Sequence, residues 1–199
     1  METPSALLRS ARFSAPAVFA TTPLRLLLAA SLSWATLAVT PPALAALFQA
    51  RDVKGDSFIL VAAPIGDGSS AQLNIYEQVR DRRPCFAREG TAPTVVKPLL
   101  VTFDFTGICS RYIDSNGYSV RVGTTDYGPA MRLSVLREAN ETQLVARSPE
   151  GLSAVIARSG GSAPGFLELK LEPGWRIMRR HFGPKALGHV YIYRDSWPQ

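Results

Sequence analysis

The chain has 199 residues, 46% of them hydrophobic, and a formal net charge of +6. That is a globular composition, which argues against a disordered chain, and its length fits one domain plus an appendage rather than two domains. A basic chain of this kind suits anionic partners, and where the protein resides decides which ones.

The appendage comes first. Arg9, Arg12 and Arg25 give a positive lead with one acid, Glu2. The stretch Leu26 to Val39 follows as an uncharged, largely apolar run, then Pro41-Pro42 and Ala43-Leu44-Ala45. Positive lead, short apolar core and A-x-A form the order of a secretory signal peptide. A transmembrane anchor needs about 20 apolar residues, and the prolines interrupt this run well short of that. The expectation is a signal peptide over 1–45, removed near Ala45 by the general export route, and a mature domain over 46–199 with no membrane anchor. Removal takes away three arginines and one glutamate, leaving nineteen basic and fifteen acidic side chains, a charge of +4. An exported basic protein meets polysaccharide, peptidoglycan or lipid headgroups more readily than nucleic acid, so no nucleic-acid partner is expected.

The mature part reads mostly in period two. "SFILVAA" (57–63) is apolar throughout, as in a strand covered on both faces. "QLNIYEQV" (72–79) follows, and "LLVTFDF" (99–105) predicts a strand with Leu99, Val101, Phe103 and Phe105 inward and Asp104 outward. Asn116-Gly117 signals a tight hairpin with positive φ, leading into "YSVRV" (118–122). "MRLSVL", "TQLVA" and "LSAVIA" read as three further strands. "GFLELKLE" (165–172) puts Leu167, Leu169 and Leu171 on one face and Glu168, Lys170 and Glu172 on the other. "WRIMRRHF" and "HVYIY" complete the series. Turn signals separate these runs, and no window sustains a helical stripe. The pattern predicts one all-β domain, a sandwich or barrel of about nine or ten short, mainly antiparallel strands.

Cys85 and Cys109 are the two cysteines, and in an oxidising compartment they are expected to form one disulfide. The same argument disfavours Cys109 as a nucleophile. No G-x-S-x-G elbow, H-E-x-x-H pair or phosphate-cradling glycine loop is present. Asp114-Ser115-Asn116-Gly117 starts like a calcium loop, but the acids that such a loop needs further on are missing, so a turn is expected. No metal, no cofactor and no catalytic residue is assigned. A carboxylate pair drawn from Asp104, Asp114 and Asp126 is the one enzymatic alternative, a hydrolase acting on glycans.

Two features suggest binding. In "GHVYIYRDSW", His189, Tyr191 and Tyr193 share one strand face with Trp197 beyond it, an aromatic row able to stack on sugar rings if exposed. The alternative is that both faces of this strand are buried. Arg80, Arg82, Arg83 and Arg88 form a group suited to anions, whereas Arg179 and Arg180 of a second group point to opposite faces.

"FILVAAPIG", "RPCF", "FDFTGICSRYIDSNGYSVRVG", "PGFLELKLEPGW" and "LGHVYIYRD" together resemble a cyanobacterial family of exported proteins that carry a domain of unknown function. The resemblance covers most of residues 47–195. It implies an envelope or extracellular protein, in periplasm, exterior or thylakoid lumen, and brings no catalytic residues. Some relatives carry cell-wall-associating modules after this domain, and no such module is expected here. The functional expectation is a non-enzymatic exported domain that binds polysaccharide or another anionic cell-surface component. The alternatives are the hydrolase and a structural or assembly partner in an envelope complex.

Overall fold

A computed structural model describes residues 47–198, and the expected signal peptide lies outside them. Among the described residues the chain is all-β, with fourteen strands, short 3-10 turns and no α-helix. After β1 (Gln49–Asp52), β2 (Phe58–Ile65) and β3 (Ser70–Gln78) form a long antiparallel hairpin in which Leu60 faces Ile75 and Ala62 faces Leu73. A second hairpin, β4 (Phe86–Glu89) with β5 (Val95–Pro98), precedes β6 (Cys109–Tyr112). Next come β7 (Tyr118–Val122), the two-residue β8 (Thr125–Asp126), β9 (Arg132–Arg137), β10 (Thr142–Arg147), β11 (Ser153–Arg158) and β12 (Leu167–Leu171). The chain ends on the hairpin β13 (Arg176–Phe182) and β14 (Lys185–Arg194).

Six of these strands close a barrel. They run β2, β3, β9, β10, β11, β12, and β12 pairs with both β11 and β2. The second sheet has the order β1, β13, β14, β7, β8. Closure removes edges from the barrel, and the second sheet covers the apolar surface that remains. One core joins them: Leu60, Ile75, Leu144, Ile156 and Leu167 from the barrel with Val120, Ile177, Val190 and Ile192 from the sheet. The β7–β14 pair is parallel, with Val120 opposite Ile192. Parallel partners need a long crossover, and here it contains β8, the four barrel strands β9 to β12, and β13.

The expectation for "SFILVAA" is met, since every residue from Phe58 to Ala63 is buried. Leu60 and Ala62 face the barrel interior, while Ile59 and Val61 lie under a lid. That lid is a second cluster with Tyr76, Val96, Leu100, Phe103, Phe105 and the bonded pair Cys85–Cys109. The alternation of residues 165–172 also holds, with Leu167 and Leu169 buried and Lys170 exposed.

Two local readings are corrected. "LLVTFDF" does not form a strand: Leu99–Thr102 is a 3-10 turn in which Leu100 is fully buried and Val101 is 63% exposed. Three residues per turn replace two-fold alternation, so Leu100 takes the inward place expected of Val101. The Leu100 N–H donates to the Cys85 carbonyl, which pins the turn to the lid. Nor does Asn116-Gly117 close a hairpin, because β6 pairs with β3 while β7 pairs with β14 and β8. The segment carries the chain from the barrel to the second sheet. Asp114 organises it, its carbonyl accepting from Gly117 and Tyr118 and its carboxylate from the Asn116 N–H. Glycine is needed at 117 for space, since a Cβ there would come within 3.0 Å of the Tyr112 Cβ.

Candidate functional site

The aromatic row of β14 is not an exposed platform. β14 lies between β13 and β7, Tyr191 has no exposed surface and His189 has 6%. Guanidinium groups cover the Tyr191 ring, Arg180 with its carbon 4.8 Å and Arg121 with its carbon 5.1 Å from the ring centre. Tyr193 is half-buried beneath Arg176, which is held by Asp195 through two N–H groups. Trp197 packs edge-on against Trp175 and joins the core instead of extending the row. Arginines of the neighbouring strands cover the outer face of β14, and period-two patterning does not reveal what lies over a face.

What replaces the row is a closed polar network. Tyr191 Oη donates to Asp126 Oδ2 at 2.9 Å and accepts from Arg180 Nε at 2.6 Å, and Arg180 also donates to Asp126. The Gly128 N–H donates to Asp126 Oδ1. His189 Nδ1 lies 2.8 Å from the Asn116 carbonyl, which only accepts, so this nitrogen carries the proton. Nε2 of a neutral His189 is then an acceptor for the Ser119 hydroxyl, 2.9 Å away. Burial pushes the His189 pKa down and keeps the ring neutral, with Arg180 acting in the same direction. Burial pushes Asp126 up, but donation from Tyr191, the Arg180 charge and the Gly128 N–H together leave it below its ordinary value.

The expected arginine group divides. Arg80, Arg82 and Arg83 sit in the loop after β3, whose shape is fixed by Gln78. That side chain donates to the Arg80 and Arg83 carbonyls and accepts from the Cys85 N–H. Arg82 and Arg83 line a hollow of about 250 Å³, and Arg83 stacks on Phe103 with its carbon 4.3 Å from the ring centre. Arg88 lies on β4 and is neutralised by Glu168, to which its Nε donates at 3.0 Å. The three aspartates serve different backbones: Asp104 caps the Thr106 N–H, Asp114 the turn before β7, and Asp126 the outer-face network.

A groove of about 540 Å³ lies between β6, the 114–117 turn and the second sheet. Phe105, Ser110, Arg111, Tyr112, Asn116 and Arg179 contribute to its lining. Arg111 is exposed and has no ion pair among the described residues. Arg179 is anchored, donating to Glu77 at 2.7 Å and to the Tyr112 hydroxyl, which donates in turn to Glu77. The groove and the arginine loop share one support. The N–H groups of Val79 and Arg80 donate to the Ile108 carbonyl, and Cys109 beside it carries the bond to Cys85.

Ser110 and Arg111 are absent from the sequence expectations. They lie between Cys109, read from the sequence as half of a disulfide, and the 114–117 stretch, read as a turn. The signal that marks them is their place between buried Cys109 and Tyr112 in a four-residue strand paired along one edge only. Among the described residues no helix is long and apolar enough to cross a membrane, and no group of three His, Cys, Asp or Glu side chains is placed to hold a metal.

No curated protein and no solved structure matches the chain. The expectation of a domain-of-unknown-function family is met over residues 25–197, and the chain belongs to the family described as "Protein of unknown function (DUF3747)".

Proposed function

We propose that this is an exported, non-enzymatic domain of cyanobacterial origin that binds an envelope or extracellular polysaccharide in the groove beside β6. The observation that carries the proposal is the lining of that groove. Sugar rings present apolar faces and hydroxyl edges, and a ligand site for them combines aromatic surface with a few fixed donors and acceptors. Half-buried Phe105 supplies the first, while Ser110, Arg111 and Asn116 supply the second. The arginine loop, tied to the same Ile108–Cys109 support, extends this surface toward anionic substituents such as carboxylates or sulfates. Export rests on the order of charged, apolar and small residues in 1–45 and on the Cys85–Cys109 bond. The carboxylate-hydrolase reading gains no support from Asp104, Asp114 and Asp126, each committed to a different part of the chain.

A glycan array and a peptidoglycan pull-down test the proposal. Affinity of the protein for acidic polysaccharide is expected to fall at least about tenfold in Arg111→Glu, on the scale of one lost charged hydrogen bond of about 1.5–3 kcal/mol. Arg88→Glu, already neutralised in the native protein, serves as the comparison. No retention, or equal loss in both variants, overturns the assignment.

A further inference from the structure

Beside Phe58, whose ring lies under the Arg179 guanidinium, the two sheets part. β1 pairs with β13, and the chain then crosses to the barrel at β2. A cleft of about 300 Å³ opens where it crosses. Its walls are the core residues Phe58, Leu60, Trp175 and Ile177, together with Leu171 and Val53. Phe58, Trp175 and Ile177 keep 6–8% of their surface exposed. At about 30 Å³ per water molecule in the liquid, the space is that of about ten heavy atoms. An apolar cleft with a few polar groups at its rim is the usual form of a small-molecule site.

The rim narrows the ligand class. Asp52 and Arg176 line it, the Asp52 side chain 86% exposed and the Arg176 side chain 41%. Arg176 already carries Asp195 on two N–H groups and has Asp52 at 4.0 Å, so two carboxylates surround one guanidinium. Arg194 stacks on Trp175 with its carbon 5.8 Å from the ring centre and acts on Asp195, so two carboxylates and two guanidinium groups leave a charged head no unpaired partner at the rim. A hydroxyl head can donate to Asp52 without adding charge.

We propose that this cleft takes the aliphatic chain of a neutral, hydroxyl-headed amphiphile, independently of any glycan bound in the groove beside β6. Calorimetric titration of the protein with straight-chain alcohols from hexanol to tetradecanol tests it. Affinity should rise about fourfold per methylene while the chain is still being buried, then level off once the cleft is full. The carboxylate of the same length should bind more weakly. A terminally brominated decanol should quench Trp175 with the same saturation, and Leu171→Phe should move the plateau to a shorter chain. Phosphatidylcholine vesicles doped with diacylglycerol separate two sources of the chain. Flotation of the protein with the vesicles, reversed by decanol, assigns a membrane lipid, whereas decanol binding without flotation assigns a free amphiphile. Non-saturable binding, affinity rising through tetradecanol without a plateau, or equal affinity for the carboxylate series overturns the proposal.

Discussion

Arg179 and Arg180 are neighbours in β13, and each joins a carboxylate and a tyrosine hydroxyl, Arg179 with Glu77 and Tyr112 and Arg180 with Asp126 and Tyr191. The two triads differ in what they connect. Glu77 lies on β3 and Tyr112 on β6, so the inner triad ties the second sheet to the barrel and its paired strand. Asp126 lies on β8 and Tyr191 on β14, so the outer triad stays within its own sheet. The same chemistry thus acts once as a seam between layers and once as a brace within one. A brace is backed by the ladder hydrogen bonds of its sheet; a seam between layers is not. Alternation of side chains along β13 produces the division.

The inner triad should be the more sensitive. Arg179→Ala leaves Glu77 largely buried with the Tyr112 hydroxyl as its remaining side-chain donor, a loss expected to cost about 3–5 kcal/mol. Denaturant unfolding measures this cost, and a value below that of Arg180→Ala would remove the distinction between seam and brace. The disulfide sharpens it, because Cys109 begins the strand that ends in Tyr112. With a separation of 24 residues, replacing both cysteines by alanine should cost about 3.5 kcal/mol in the chain-entropy model. Combined with Arg179→Ala the effect should be non-additive, since β6 belongs to both. Combined with Arg180→Ala it should add within about 0.5 kcal/mol.

Arg180→Ala comes third. Asp126 keeps Tyr191 and the Gly128 N–H as donors after the guanidinium is gone, so the expected cost is about 1–3 kcal/mol. Thermal unfolding of the single variant measures it. A cost equal to that of Arg179→Ala would show that position relative to the two layers does not matter.

The division between the two arginines is legible in the sequence, because "WRIMRRHF" has a strand period that sets adjacent residues on opposite faces. The all-β class, the Cys85–Cys109 bond and the doubly buried "SFILVAA" are legible for the same local reasons. Five strands are not: β1, β4, β5, β6 and β8 have two to four residues each, too short to display a period. The groove beside β6 escapes for that reason, since β6 and its turn make much of its wall. The network around Ser119 escapes for another. Asp126 and His189 are 63 residues apart, and the parallel pairing of β7 with β14 that places Ser119 opposite Tyr191 has no local signature.

The smallest expected effect concerns the outer network and appears only as pH is changed. His189 is held neutral, its pKa pushed below the ordinary 6.5 by burial. The groups facing it are the Ser119 hydroxyl, the Asn116 carbonyl, the edge-on Tyr191 ring, and the charges of Arg180 and Asp126. Below pH 6.5 the unfolded chain takes up a proton that the folded ring refuses, so stability falls as pH falls. The slope cannot exceed about 1.4 kcal/mol per pH unit for one group. Asp126 does not confuse this window, because its pKa lies below 3.8 and its own loss comes at lower pH. Replacing His189 by glutamine removes the titrating group while keeping an amide donor and acceptor. Midpoints of urea unfolding between pH 8 and 5 should then decline less steeply in the variant than in the native protein. The same change made in an Arg180→Ala background should give a smaller difference in slope, since Arg180 is one of the charges that disfavour imidazolium. Identical slopes with and without His189 would mean that the ring is not held neutral, and the proton placement derived from the Asn116 carbonyl would fail with it.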